Sequence, residues 1–184
     1  MNNTIQAQLF ALFERQQALW QQQKGSLPMQ VFDPQWISPC QVGGVKNDKI
    51  AWSPVKREPL LNLSNIERAL EIQLHSSISD FFCSAYADSV PCLFAGHPIT
   101  LIQVCNEDDF NLLQENMIAH FMMQKRLKKP ASMFIASCSD EMQIISIINE
   151  TGQVQLETLG KGQDAILAEN LSDFLAQLEP VILD

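Results

Sequence analysis

Cysteine and histidine are the side chains of this sequence with the widest chemistry, because they can act as nucleophiles, bases or metal ligands. The 184 residues contain five cysteines and three histidines. No two cysteines form a CxxC pair, and the histidines show no spacing typical of metal ligands. We therefore expect no metal and no other cofactor. The odd number of unpatterned cysteines indicates reduced thiols in a cytosol.

A cysteine nucleophile and a histidine base can also come from distant parts of a sequence, and Cys105 with His120 is one such pair. Nothing singles this pair out, because His120 falls at the edge of a helical apolar stripe, where a half-buried histidine is common. The sequence also lacks GxSxG, HExxH, phosphate-loop and EF-hand patterns. It thus indicates a binding protein rather than an enzyme, with a small cytosolic hydrolase as the alternative.

Carboxylates dominate the charge of the chain, whose formal net charge is -9. This balance repels nucleic acid and favours a cationic partner.

Glu67 and Glu71 lie one turn apart near the apolar side of a predicted helix. One explanation is local, since Glu67 can close a capping box with Ser64 and both glutamates lie near the positive end of the helix. The other is functional, because acids at the rim of an apolar face could line a groove for a basic segment.

A second group of acids surrounds the start of a later predicted helix. Asp108 and Glu115 project from its outer face, and Asp109 lies nearer the apolar stripe. Each alone is most simply a solvated acid. Together with Asp80, Asp88 and their neighbours they make eight carboxylates between positions 67 and 115. Such a density predicts a patch of negative potential suited to a cationic protein surface.

One short basic run stands between acidic parts of the sequence. It consists of Lys125, Arg126, Lys128 and Lys129. Cations at the C-terminus of a helix complement its dipole, which is the simpler explanation. Contact with a phosphate or a lipid is the alternative.

The predicted helices follow from apolar residues spaced three and four positions apart. Asn106 caps the third of them, and carboxylates fill its first turn, where unpaired amides favour negative charge. The four helices are expected at about Thr4 to Lys24, Ser64 to Tyr86, Asn106 to Pro130 and Leu167 to Leu178.

Short apolar runs bounded by turn residues predict the strands. A hairpin and a three-stranded meander are expected, together with one strand in an otherwise loop-like, proline-rich segment. The runs are Pro91 to Phe94 and Ile99 to Val104 for the hairpin, Met133 to Ala136, Gln143 to Ile148 and Gln153 to Thr158 for the meander, and Ile50 to Trp52. The element order α-β-α-β-β-α-β-β-β-α favours an α+β fold, a largely antiparallel sheet flanked by helices.

The length and composition fit one domain spanning residues 1–184. No apolar stretch approaches the roughly 18 residues of a membrane span, and the N-terminus is too polar for a secretory signal. We therefore expect a soluble cytoplasmic protein.

Several motifs spread over nearly the whole chain are distinctive. The longest is N-E-D-D-F-N-L-L-Q-E-N-M-I-A-H-F-M-M-Q-K-R-L-K-K-P from Asn106, followed by M-F-I-A at Met133. Shorter ones are S-P-C at Ser38, A-W-S-P at Ala51, N-I-E-R-A-L-E-I at Asn65, E-T-L-G at Glu157 and N-L-S-D-F-L-A-Q-L-E-P at Asn170. Together these motifs closely resemble those of the Syd protein family, the SecY-interacting proteins of gamma-proteobacteria.

The resemblance implies a SUKH-like fold with a concave acidic groove that engages the basic cytoplasmic loops of SecY, without catalysis or cofactor. It also implies peripheral attachment to the cytoplasmic face of the bacterial inner membrane, made indirectly through SecY. SUKH-type domains also act as immunity proteins against toxins, so another basic client is the alternative. Carried onto this chain, the candidate groove residues are Glu67, Glu71, Glu107, Asp108, Asp109 and Glu115.

Overall fold

The computed structural model describes residues 4–58 and 62–183. Its helices within these ranges are α1 (Thr4–Lys24), α2 (Ser64–Leu70), α3 (Ser76–Phe82), α4 (Glu107–Arg126) and α5 (Leu171–Ala176). Its strands are β1 (Met29–Val31), β2 (Gln41–Lys46), β3 (Lys49–Trp52), β4 (Val55–Lys56), β5 (Ala85–Tyr86), β6 (Val90–Phe94), β7 (His97–Leu101), β8 (Ser132–Cys138), β9 (Gln143–Ile148), β10 (Val154–Thr158), β11 (Gly162–Ala168) and β12 (Glu179–Pro180).

A seven-stranded antiparallel sheet organises the molecule, with strand order β11-β10-β9-β8-β7-β6-β12. The predicted hairpin is β6 and β7, and the predicted meander is β8, β9 and β10. Helices flank this sheet, so the α+β fold class is confirmed. None of the described helices has an apolar run long enough to cross a bilayer.

The strand prediction missed several strands, among them β4 and β5, which pair with each other, and β12 at the edge of the large sheet. The proline-rich segment forms a second sheet of order β1-β3-β2, whereas only the strand near β3 was expected. At the other end of the chain, the predicted last helix begins later than expected, because β11 continues to Ala168. Asn170 then starts α5 by accepting a hydrogen bond from the Asp173 amide at 2.9 Å. Strand β11 is an edge strand and mostly exposed, and its short apolar run from Ala165 to Ala168 leads directly into the segment predicted as helix.

One hydrophobic cluster joins the helices to the sheet. Helix α1 contributes Leu9, Leu12 and Phe13, and it packs on α3, α5 and β12. The ring of Phe13 meets that of Trp52 edge-on at 6.3 Å, which connects α1 to the small sheet. Helix α4 packs on β8 and on α2, through the apolar stripe that the sequence predicted.

The continuous second helix that was predicted is wrong. Helix α2 ends at Leu70 and is followed by Glu71, whose φ of 54° is left-handed, and α3 begins only after His75. The capping box is also absent: Leu63 occupies the cap position without a side-chain bond, and Asn62 accepts the Ser64 amide at 3.1 Å.

Tertiary contacts explain the break. In the β9–β10 turn, Asn149 accepts the His75 amide at 3.0 Å and donates to the Gln73 carbonyl at 2.8 Å. The carboxylate of Glu67 accepts the Leu74 amide at 2.9 Å instead of closing a capping box. These bonds satisfy backbone groups that a continuous helix would pair internally. Of the apolar positions predicted for this region, Leu74, Ile78, Phe81 and Ala85 are buried all the same, and Leu70 is half-buried.

Candidate functional site

The N-terminus of α4 is held by a set of hydrogen bonds that also anchor the proline-rich segment. The Asn106 side chain accepts the Asp109 amide at 2.8 Å, which confirms the predicted cap. In return, the Asp109 carboxylate accepts the Cys105 amide at 2.8 Å. The Asn106 amide group donates to the Ile37 carbonyl at 3.0 Å, and the Ser38 hydroxyl donates to the Cys105 carbonyl. The loop before β2 is therefore fixed against the start of α4.

An acidic pocket of about 400 Å³ lies between that loop and α4. We define it by three carboxylates, Asp33, Asp88 and Asp109, which line it together with Trp36 and Gln103. Only Asp109 belongs to the candidates from the sequence. Asp33 and Trp36 escaped prediction, because they lie in a proline-rich segment without periodicity, and no local pattern links them to α4.

Burial raises the pKa of the Asp88 carboxyl above its ordinary value. The Ser89 amide, which donates to Asp88 at 2.8 Å, opposes this shift, while the negative charge of Asp109 adds to it. The ionised form of Asp88 is thus disfavoured in the free protein. A cation entering the pocket would relieve this unfavourable charge.

Glu107 is the most strongly paired of the candidate acids. Its Oε1 lies 3.1 Å from Nη2 of Arg57 and also accepts the Tyr86 hydroxyl. The guanidinium of Arg57 is buried and lies 4.4 Å from the ring centroids of both Tyr86 and Phe110. Glu107 therefore neutralises a buried cation and ties α4 to the segment around β4 and β5.

The remaining candidates lie on α4 and around α2. Asp108 and Glu115 are exposed on the outer face of α4, as predicted. Glu67 is half-buried within α2, and its carboxylate accepts the Leu74 amide in the bend that follows. Glu71 lines a groove with Lys125 and other residues at the C-terminal end of α4.

The six candidate acids do not form one cluster, because Glu107, Asp108 and Asp109 occupy the first turn of α4 while Glu71 lies near its other end. Eighteen residues of α4 separate Glu107 from Lys125, which is about 27 Å at 1.5 Å per residue. Charges on exposed groups are largely screened beyond about 8 Å at physiological salt. Glu71, which lines a groove with Lys125, therefore acts independently of the acids in the first turn of α4.

The cysteine and histidine side chains are not arranged for nucleophilic catalysis by the pair considered from the sequence. Cys105 precedes α4 and His120 lies thirteen residues inside it, about 20 Å away along the helix. Burial raises the pKa of the Cys105 thiol to about 12, with Asp109 contributing, so the reactive thiolate is disfavoured. All five cysteines carry free thiols. Within residues 4–58 and 62–183, no group of three potential ligands is placed to hold a metal.

The fold and the site thus define an α+β protein with one large antiparallel sheet and an acidic pocket at the start of helix α4. A model of the family described as Syd protein (SUKH-2) matches residues 6–180. The chain is 70% identical to Protein Syd of Psychromonas ingrahamii over 184 residues, which is all of both chains. It is 43% identical over 182 residues to Protein Syd of Yersinia pseudotuberculosis and of Yersinia pestis, covering 99% of each chain. The chain therefore belongs to the Syd family, as the resemblance indicated.

Proposed function

We propose that this protein is a non-catalytic binding module that engages the basic cytoplasmic loops of SecY through the acidic end of α4. The observation that carries the proposal is the acidic pocket, where Asp33, Asp88 and Asp109 converge from three separate segments. Family membership supports SecY as the client. In this role the chain acts as one domain and as a regulatory or quality-control factor for SecY.

The chemistry of the pocket suits a lysine or arginine side chain. Asp88 is half-buried and its ionised form is disfavoured, so the approach of a cation lowers its electrostatic penalty. Trp36 lines the same pocket and offers an aromatic surface to the cation. Asp108 and Glu115, exposed on the outer face of α4, extend the negative surface and accelerate encounter with a basic loop. Binding through these groups would hold the protein at the cytoplasmic side of the inner membrane.

The test is capture of detergent-solubilised SecYEG by the immobilised protein at about 0.05 M and about 0.5 M salt, since screening shortens with ionic strength. The first variant, Asp33→Asn/Asp88→Asn, removes pocket charge and keeps oxygen acceptors for the Gln35 and Ser89 amides. The second variant, Asp108→Lys/Glu115→Lys, reverses the charge of the outer face. We expect binding to fall with salt and to weaken at least tenfold in the pocket variant, since the loss of a close charge pair at an interface often exceeds 1.4 kcal/mol.

The matched control is Glu141→Lys/Glu150→Lys, which changes the net charge as much as the outer-face variant at exposed positions around β9. A loss confined to the pocket variant and the outer-face variant supports the proposal. An equal loss in the control shows that only net charge matters and contradicts the assignment of the pocket. Absence of binding at low salt rejects SecY and favours another basic client, such as a toxin bound by a SUKH-type immunity protein.

A further inference from the structure

The C-terminal end of α4 carries a surface of the opposite sign. Its side chains Lys125, Arg126 and Lys128 are exposed, and Lys129 is half-exposed. The ammonium of Lys129 donates to the backbone carbonyl of Lys161. Lys161, in the β10–β11 hairpin, is therefore a fifth basic residue beside this surface. We call these five residues the basic end. They are five of the twelve lysines and arginines of a chain with net charge -9.

Exposed apolar side chains lie among these cations. Met122 is 59% exposed, Met123 is 41% exposed and Leu127 is 46% exposed. Met122 and Met123 come just before the basic residues in the sequence, and Leu127 lies between Arg126 and Lys128. Apolar and basic side chains are thus interspersed at the end of α4. Long, unbranched methionine side chains adapt to irregular apolar environments.

A groove of about 690 Å³ opens beside this surface, between the end of α2 and α4. Apolar side chains, including Leu70, Ile72 and Phe121, line its walls. Lys125, Arg126 and Lys129 also line it, and Glu71 is its acidic member. The groove thus offers apolar contact beneath a mainly cationic rim.

Complementation of the helix dipole does not account for this arrangement. The dipole effect is confined to the last turn and involves the helix's own cations. Here Lys128 and Lys129 lie beyond Arg126, the last helical residue, and Lys161 comes from a different element. Dipole complementation also gives no reason for exposed methionines beside the charges.

We propose that the basic end docks directly on the anionic phospholipid surface of a membrane. Each cation near such a surface gains electrostatic energy, and exposed apolar side chains enter the boundary between headgroups and acyl chains. A lipid surface fits both features at once, because it supplies many phosphates together with hydrocarbon. An acidic protein segment would match the cations alone. This contact adds to any attachment through SecY and does not depend on it.

The test is flotation of the purified full chain with SecY-free vesicles, made of phosphatidylcholine alone or of phosphatidylcholine with phosphatidylglycerol. We expect binding only to the phosphatidylglycerol vesicles, and weaker binding at high salt. Lys125→Gln/Lys128→Gln should lower the partition coefficient about 25-fold, since each cation contributes about a factor of five. Met122→Gln/Met123→Gln keeps the charge and a good helix former, and it should also weaken binding.

The control Lys46→Gln/Lys49→Gln removes the same charge from exposed lysines of the small sheet. Circular dichroism establishes that each variant remains folded. Equal binding to neutral vesicles, or an equal effect of the control pair, overturns the proposal. Failure of all vesicle binding also overturns it and points to an acidic protein as the ligand of the basic end. Because these vesicles contain no SecY and the SecYEG capture uses no bilayer, the two proposals fail independently.

Discussion

Burial and pairing give the carboxylates at the start of α4 different roles. Asp88 lies in the acidic pocket with a raised pKa, while Glu107 neutralises the buried Arg57. Asp108, next in sequence to Glu107, is exposed on the outer face. A variant can therefore lose binding because it loses surface charge or because it loses stability, depending on the position. Measuring the free energy of unfolding of each variant separates these two causes.

Asp88→Asn should stabilise the folded protein at pH 7 while weakening the capture of a cationic partner. The folded-state pKa of Asp88 lies above its unfolded value, so the folded state binds the extra proton, and ionisation at higher pH lowers stability. The stability advantage of the variant should be present above the folded-state pKa and should vanish as pH falls towards 3.8, the ordinary pKa of an aspartic acid. Urea unfolding at a series of pH values measures it. A variant less stable than wild type at pH 7 would contradict the burial argument.

Glu107→Gln should lower the free energy of unfolding by about 1–2 kcal/mol, because Arg57 then loses a charged hydrogen-bond partner. The neighbouring Asp108→Asn, at an exposed position, should stay within about 0.5 kcal/mol of wild type. Urea unfolding at pH 7 compares the two. Equal effects would show that the ion pair to Arg57 is not a stabilising contact.

At the scale of elements, the bend between α2 and α3 shows how a turn of the sheet shapes a helical segment. The ring of His75 accepts the Ser77 amide at 3.3 Å and so caps α3. Gly152 of the β9–β10 turn approaches this ring so closely that an added Cβ would lie 2.3 Å from its Cε1. Its φ of +75° is also left-handed. Close contact at this glycine therefore joins the turn to the start of α3.

Gly152→Ala should destabilise the protein by about 2–4 kcal/mol, combining left-handed strain with displacement of the capping ring. Gly160→Ala is the matched control, since Gly160 has φ +79° and nothing within 4 Å of the added Cβ. It should show the backbone strain alone, about 1–2 kcal/mol. Thermal and urea unfolding compare the two. If both variants lose the same stability, the contact with His75 contributes nothing.

At the scale of the whole molecule, surfaces of opposite charge lie at the two ends of α4. The acidic pocket lies at the N-terminal end of this helix and the basic end at its C-terminal end, about 27 Å apart by helical rise. This distance exceeds the screening length at physiological salt, so the two ends keep separate potentials. If one end binds SecY and the other binds lipid, the second contact becomes intramolecular once the first has formed.

The affinity for SecYEG should therefore be higher in bilayers rich in phosphatidylglycerol than in detergent, by about tenfold or more. Lys125→Gln/Lys128→Gln should abolish this gain and leave the affinity in detergent unchanged. Binding to SecYEG in nanodiscs of either lipid composition, compared with detergent, measures both quantities. An unchanged affinity across all three environments would show that the two surfaces do not act together.

Elements with strong local periodicity could be predicted from the sequence. Helix α1 has the predicted bounds, Asn106 caps α4 as expected, and the hairpin and meander lie at the predicted places. These features depend on spacing and capping chemistry within a few residues. The long motif from Asn106 also identified the family without any structure.

Contacts between distant segments were decided only by the tertiary structure. The Asn149 side chain breaks the second helix, although the local pattern favoured continuity. Asp33 joins Asp88 and Asp109 because packing folds the proline-rich segment against α4. Glu71, grouped by sequence with the other acids, lies instead beside the basic end. Side-chain spacing specifies which faces of an element are apolar, whereas the partners of those faces depend on how the whole chain packs.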